Sequence, residues 1–259
     1  MPYKLIVSDW NGTILRHPTD EMQNRHIAYT LLDDAKSRIQ TGDPLGLWDL
    51  GRLLFAKRGL EKCLIEYGNG KRPLHEVYER FNSHVLCGKS YKLVRSAVDQ
   101  FVDQCIRRGD IDRGILHSIR LAHERGIKTG ILSTSVGFAI YRTLVRVNFA
   151  DTFDAIEANS LVTHLSDGEQ KVEGCTINIY NQKPEILEER FLKPYHLREK
   201  DVIYFGDSND DIGVAEMLPV GNFIVPFFAT DAFRQYAGQG YGAFVPDTKE
   251  DLDGYLKAR

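Results

Sequence analysis

Asp9, Ser133, Lys183 and Asp207, with the polar residues beside them, are the part of this chain that could do chemistry. In "KLIVSDWNGTIL" (residues 4–15), Asp9 leaves the run Leu5-Ile6-Val7 and enters a turn of Asn11, Gly12 and Thr13. Ser133 directly follows the apolar pair Ile131-Leu132, with Thr134 and Ser135 after it. Lys183 opens the helix that begins at Pro184, and Asp207 ends the run Val202–Phe205 in "FGDSNDD", with Asp210 and Asp211 just beyond. A single carboxylate after a strand is commonly a helix cap. Two carboxylates on neighbouring strand ends are a different matter, because together they suit a divalent cation held by oxygen. Gly12 lets backbone approach closely, and the amides of Gly12-Thr13 can form an anion nest.

The elements that must position these residues follow from hydrophobic period. Residues 4–8, 128–133, 202–205 and 223–225 read as buried strands of a parallel sheet. Between the first strand and Arg108 the period is helical throughout. A helix capped by Asp20 or Thr19 carries Ile27, Leu31 and Ala35 and ends at Gly42. A second carries Leu47, Leu50 and Leu54 and breaks near Gly59, with Trp48 as a core anchor; a third follows Pro73 and a fourth spans Val94–Cys105. From Asp110 or Asp112 onward helices and strands alternate, a further short strand lies near Phe153–Glu157, and Leu161–Leu165 with Val172–Ile179 flank "SDGE" as a hairpin. This order predicts an α/β doubly wound parallel sheet with a helical block inserted after its first strand. The block leaves and returns at the strand edge where ligands bind in open α/β sheets.

Taken in order, "DWNGT", "LSTS", "NQKPE" and "GDSNDD" resemble the four motifs of the haloacid dehalogenase (HAD) superfamily, over Asp9 to Asp211. The stretch "SVGFAIYRTLVRVNFADTFDAIEANSL", with "SDGE", "VEG" and "KPEILEE", is similar to phosphoserine-phosphatase-like members. The resemblance implies a Rossmann-like HAD core over 1–16 and 110–259 and a helical cap domain over 17–109. It implies a Mg²⁺-dependent phosphohydrolase acting on a small phosphorylated metabolite. Asp9 would be the nucleophile, forming an aspartyl-phosphate. Asp9, Asp207 and the main-chain carbonyl of Asn11 would hold Mg²⁺. Gly12, Thr13, Ser133 and Thr134 would bind phosphate, and Lys183 would neutralise its charge and keep Asp9 ionised. Asp211 would order metal-bound water or Lys183. Asp210 is a rival for the role of Asp211, and Ser135 for that of Ser133.

Asn11 departs from the pattern. In the phosphatase branch the residue two after the nucleophile is an acid that protonates the leaving oxygen and then activates water. Asn11 can orient either partner but exchanges no proton, and losing positioned acid–base catalysis costs ~10²–10⁴-fold in rate. The alternatives are therefore a catalytically weak or inactive binding domain, or a phosphonate- or halide-directed HAD hydrolase.

The 259 residues, 42% hydrophobic and 27% charged, suit one α/β domain with an insertion. A formal net charge of −3 gives no basic field for nucleic acid, and no apolar run has the length of a membrane span. Cys63, Cys87, Cys105 and Cys175 form no CxxC pair, which suits a reducing compartment. The expectation is a cytoplasmic protein with a small-molecule substrate, no nucleic acid and no membrane. His17 reads as a loop histidine and Lys71-Arg72 as solvated.

Overall fold

Leu5, Ile6 and Val7 are without solvent exposure in β1 (Leu5–Ser8), a central strand paired on both edges, as expected where both faces of a parallel sheet are covered. The computed structural model describes residues 3–16, 20–69, 71, 73–176, 179–180 and 182–258. His17, Thr19 and Arg72 lie outside the described residues. β1 pairs in parallel with β2 (Lys128–Val136) and with β6 (Val202–Phe205); β3 (Ala155–Asn159) and β7 (Phe223–Ile224) complete a parallel sheet of order β3-β2-β1-β6-β7. Strand order reverses at β1, which makes its carboxyl end the switch point of the sheet.

Two compact units divide the chain, one comprising Met1–Thr19, Cys105–Asn159 and Asn178–Arg259, the other Asp20–Gln104 and Ser160–Ile177. The first holds the sheet. Helices α5 (Arg113–His123), α6 (Gly137–Val147), α7 (Lys183–Ile186), α8 (Ile212–Met217), α9 (Asp231–Tyr241) and α10 (Lys249–Ala258) flank it. Asp112, not Asp110, caps α5, accepting from the Ile115 amide at 2.9 Å. A π-helical turn, Leu187–Leu192, prolongs α7 and drives Phe191 against the sheet. β2 receives it at Gly130, where a Cβ would lie 2.2 Å from the Phe191 ring.

The second unit contains α1 (Asp20–Gln40), α2 (Pro44–Gly68), α3 (Leu74–Phe81) with its π-helical continuation Asn82–Leu86, and most of α4 (Tyr91–Arg108). It also contains the antiparallel hairpin β4 (Leu161–Ser166) and β5 (Glu169–Cys175). This corrects the boundaries drawn from sequence, which left the hairpin in the core. A two-stranded hairpin is marginal alone. Here the Gly88 amide donates to Val172 O (2.7 Å) and the Val172 amide to Lys89 O (2.9 Å), which ties the hairpin to the chain before α4.

Helix α2 also differs from its expected form. It runs through Gly59 without a break, and its buried face is Leu53, Ala56 and Cys63, while Leu47 and Leu54 are exposed. Trp48 is no core anchor: it is 64% exposed, with the Arg52 guanidinium 5.4 Å over its ring. Among the described residues, no helix is long and apolar enough to cross a membrane.

Candidate active site

Asp9 follows the last residue of β1, and its amide donates to Phe205 O (2.9 Å), continuing the pairing with β6. Its carboxylate is almost fully buried and accepts from the Trp10 amide at 2.7 Å. Lys183 Nζ lies 3.2 Å from Asp9 Oδ2. Burial pushes the Asp9 carboxyl up to about 7, and Asp211 adds to this, while Lys183 and hydrogen bonds from Trp10 and Ser133 oppose it.

The chain then turns tightly. Ile14 and Leu15 both donate to Trp10 O (2.9 and 2.8 Å), and the Gly12 amide donates to Leu15 O (2.7 Å). Gly12 sits at φ +74°, and a Cβ there would lie 1.9 Å from Asp207 Oδ2. Thr13 Oγ1 donates to Asp207 Oδ1 at 3.0 Å. The turn after β1 thus grips the carboxylate delivered by β6. Burial, Asp211 and Asp9 hold the Asp207 carboxyl well above the usual range.

Asp211 is fully buried, whereas Asp210 is exposed. Asp211 Oδ1 accepts from Lys183 Nζ (2.6 Å) and from the Tyr204 hydroxyl (2.8 Å). Its Oδ2 accepts from the Asp207 and Ser208 amides and from Ser208 Oγ, at 3.1–3.3 Å. Gly206 lets this carboxylate fold back, since a Cβ there would lie 2.6 Å from Asp211 Cγ. Burial opposes the charge on Lys183, but Asp211 and Asp9 more than offset it and hold the ammonium above its ordinary value. Tyr204 is the member of this network that sequence reasoning missed. Within "VIYF" it reads as one more core residue, and its hydroxyl has a partner only because Asp211 turns inward.

The two candidate serines are separated by what they touch. Ser133 Oγ accepts from the Ser135 amide (3.2 Å), and its hydroxyl hydrogen-bonds Asp9. Ser135 Oγ instead accepts from Asn11 Nδ2 at 2.5 Å. Between them the β2–β3 pairing is irregular, and Thr134 O accepts from Asn159 Nδ2 at 2.6 Å. Both serines therefore face the site from one strand. Residues two apart on a strand share a face, and Ser133 and Ser135 are buried while Thr134 between them is half-buried.

Oxygen atoms of Asp9, Asp207 and Asp211 all lie within 4.8 Å of one another. The Lys183 ammonium stands among three carboxylates, of which Asp9 and Asp211 are buried and Asp207 half-buried. The donor set is hard oxygen, and the excess negative charge fits a small divalent cation such as Mg²⁺. Asp211 already accepts five hydrogen bonds, which leaves Asp9 and Asp207 as the carboxylates best placed to hold it.

The model of the haloacid dehalogenase-like hydrolase family matches residues 6–216. The chain belongs to that family. Among solved structures, this HAD protein is similar to a substrate-bound phosphoserine phosphatase complex, at 19% identity over 99% of this chain and 98% of that one (TM-score 0.60). It is also similar to a phospho-aspartyl intermediate analogue of phosphoserine phosphatase, at 20% identity over 100% and 99% (TM-score 0.59). A protein of unknown function from Bordetella pertussis Tohama I matches at 16% identity over 95% and 98% (TM-score 0.62). At these identities the likeness is one of fold. No curated protein sequence matches the chain.

Proposed function

We propose that the chain is a Mg²⁺-dependent phosphohydrolase that acts on a small phosphorylated metabolite through an aspartyl-phosphate on Asp9, with the helical unit serving as its cap. The supporting observation is the charge arrangement: Lys183 bridges Asp9 and Asp211 at 3.2 and 2.6 Å while Asp207 stands in the same cluster. Asp9, Asp207 and the Asn11 carbonyl would hold Mg²⁺, which when bound screens the repulsion between a carboxylate and a phosphate polyanion.

An Asp9 oxygen attacks phosphorus, the bond to the leaving oxygen breaks, and that oxygen takes its proton from water. Lys183 favours the ionised form of Asp9 against its burial and offsets the charge gathering on the phosphoryl oxygens. Ser133, together with Thr134, donates to those oxygens, while the Gly12 amide and the Thr13 hydroxyl stay engaged with Leu15 O and Asp207. Water then attacks the phosphorus, releasing inorganic phosphate and restoring Asp9. Asp211, steadied by Tyr204, positions Lys183. Asn11, bonded to Ser135, orients the leaving group or water but transfers no proton. The site accordingly favours esters that leave readily, such as acyl or aryl phosphates.

The test is hydrolysis of p-nitrophenyl phosphate and a panel of phosphorylated metabolites with Mg²⁺. Asp9→Asn should abolish turnover with an unchanged far-ultraviolet circular dichroism spectrum. Asn11→Asp should raise turnover of alkyl phosphates by ~10²–10⁴-fold, and of aryl phosphates by less. Equal activity in Asp9→Asn and the parent defeats the assignment of Asp9. Absence of phosphomonoesterase activity even in Asn11→Asp turns the reading to a binding domain or to phosphonate or halide chemistry.

A further inference from the structure

Strands β2 and β3 fall out of step where the site residues lie. Ser133 pairs with Ala158 and Val136 with Asn159, so Thr134 and Ser135 have no ladder partner in β3. The peptide unit joining these two residues is planar, and it carries one acceptor, Thr134 O, and one donor, the Ser135 amide. Side chains hold both ends. Asn159 Nδ2 donates to Thr134 O at 2.6 Å, and the Ser135 amide donates to Ser133 Oγ at 3.2 Å. Only the NH₂ side of an amide can donate to a carbonyl, so the sense of the Asn159 side chain is fixed. Its other end is not provided for. Asn159 is 3% exposed, and its Oδ1 is buried without a hydrogen-bond partner among the described residues. Orphans of this kind cost stability, and in native structures they mark strained or catalytic places or a bound water. Stability alone would favour an apolar side chain here.

We propose that Asn159 is a positioning residue for the reaction, acting through Ser133 on Asp9; the inference rests on the phosphohydrolase reading above. Asn159 pins Thr134 O, and with it the plane of the Thr134–Ser135 peptide. That plane aims the Ser135 amide at Ser133 Oγ. A serine hydroxyl has a single proton. With its oxygen receiving the Ser135 amide, Ser133 directs that proton to Asp9, with which it hydrogen-bonds. When substrate binds, the same proton is presented to a phosphoryl oxygen. A donor to developing charge is worth most when it needs no reorganisation at the moment of reaction, and Asn159 supplies that fixity from the neighbouring strand.

The experiment is a double-mutant cycle on the full chain with Mg²⁺, reading kcat and KM for p-nitrophenyl phosphate beside the denaturant midpoint of each variant. Asn159→Leu, close to asparagine in shape and without a donor, should lower kcat by up to about 100-fold, the scale of a 1 Å misplacement. KM should change far less, since the donor is worth most in the transition state. The midpoint should stay near that of the parent, because the bond to Thr134 O and the orphan acceptor are lost together. Ser133→Ala should lower kcat by about 10²–10³-fold, as for loss of one donor to developing charge. In that background Asn159→Leu should cost no more than about twofold further, because groups that act through one another are not additive. Where Asn159→Leu does not fold, Asn159→Ala closes the same cycle. Unchanged kcat, losses that multiply in the double variant, or a midpoint that falls in step with activity would overturn the proposal and leave the phosphohydrolase reading in place. A parent that hydrolyses none of the phosphate panel overturns both.

Discussion

Glycine marks the contrast between the two units. At the sheet edge, a methyl group added to Gly12 would lie 1.9 Å from an Asp207 oxygen, and one added to Gly206 would lie 2.6 Å from Asp211 Cγ. In α2 of the helical unit, methyl groups added to Gly51 and Gly59 meet nothing within 4 Å among the described residues. The surroundings differ in the same sense. Asp211, Lys183 and Tyr204 are buried to 2% exposure or less with their polar atoms in contact, whereas α2 leaves Leu47, Trp48 and Phe55 at 67%, 64% and 78% exposure. Buried charge tolerates only touching geometry, because a carboxylate that loses its partner keeps the full desolvation cost. A helix face that borders water has no such constraint.

The sharpest way to break this comparison is Gly12→Ala. The new methyl group must displace Asp207, and the residue must also hold φ +74°, a region that costs a non-glycine residue about 1–2 kcal/mol. Displacing a carboxylate proposed to hold the cation should exceed the ~10–100-fold loss of affinity typical of changes behind the ligands. Mg²⁺ affinity by calorimetry is expected to fall at least about 100-fold, with phosphatase turnover falling alongside. Retention of both would show that the turn yields more readily than its contacts imply.

Much of this edge was legible in the sequence. Strands of a parallel sheet covered on both faces read as near-continuous apolar runs, so "LIVS" and "VIYF" announce themselves, and the residues that end them fall on one edge of the sheet. The tie between Asn11 and Ser135 was not legible, because Ser133 and Ser135 share one face of β2 and residue type does not say which of them meets Asn11. The choice of Asp211 over Asp210 as the partner of Lys183 likewise needed the backward fold that Gly206 permits. In the helical unit the sequence was a poorer guide. The apolar residues of α2 occur nearly all round the helix, so periodicity could not say which face is buried. Helix α9 was missed altogether, since "DAFRQYAGQGY" carries two glycines in its second half. The hairpin sits in sequence between core elements, and only its backbone bonds to Gly88 and Lys89 reveal where it belongs.

Protons and a divalent cation should compete at the charged edge. Asp9 is pushed up to about 7 from an ordinary 3.8, and Asp207 is also raised, chiefly by burial and neighbouring carboxylates. Both are higher in the folded than in the unfolded chain, so between about pH 4 and 7 the folded chain binds more protons. The stability contributed by these groups therefore falls as pH rises through that window. A bound cation replaces the lost protons. Mg²⁺ should accordingly raise the unfolding temperature little at pH 5 and much more at pH 8, approaching about 2.7 kcal/mol at 100 times its Kd. Thermal unfolding with Mg²⁺ or with a chelator at the two pH values makes the measurement. Equal stabilisation at both would mean that the carboxylates are ionised throughout and that the edge is less strained by charge than its burial implies.

The smallest expected effect lies in the other unit and has the opposite sign. Gly59 is inside α2, where glycine gives the unfolded chain more freedom than alanine and exposes more backbone to water. It lies in an ordinary helical conformation, and the added methyl group meets open space. Gly59→Ala should therefore stabilise the protein by about 0.5–1 kcal/mol, read as a higher denaturant midpoint with an unchanged slope. The same one-carbon change is thus predicted to disable the sheet edge at Gly12 and to strengthen the helix at Gly59. A loss of stability at Gly59 would mean that this face of α2 is covered in solution, and the exposed Leu47, Trp48 and Phe55 would then belong to a packed surface.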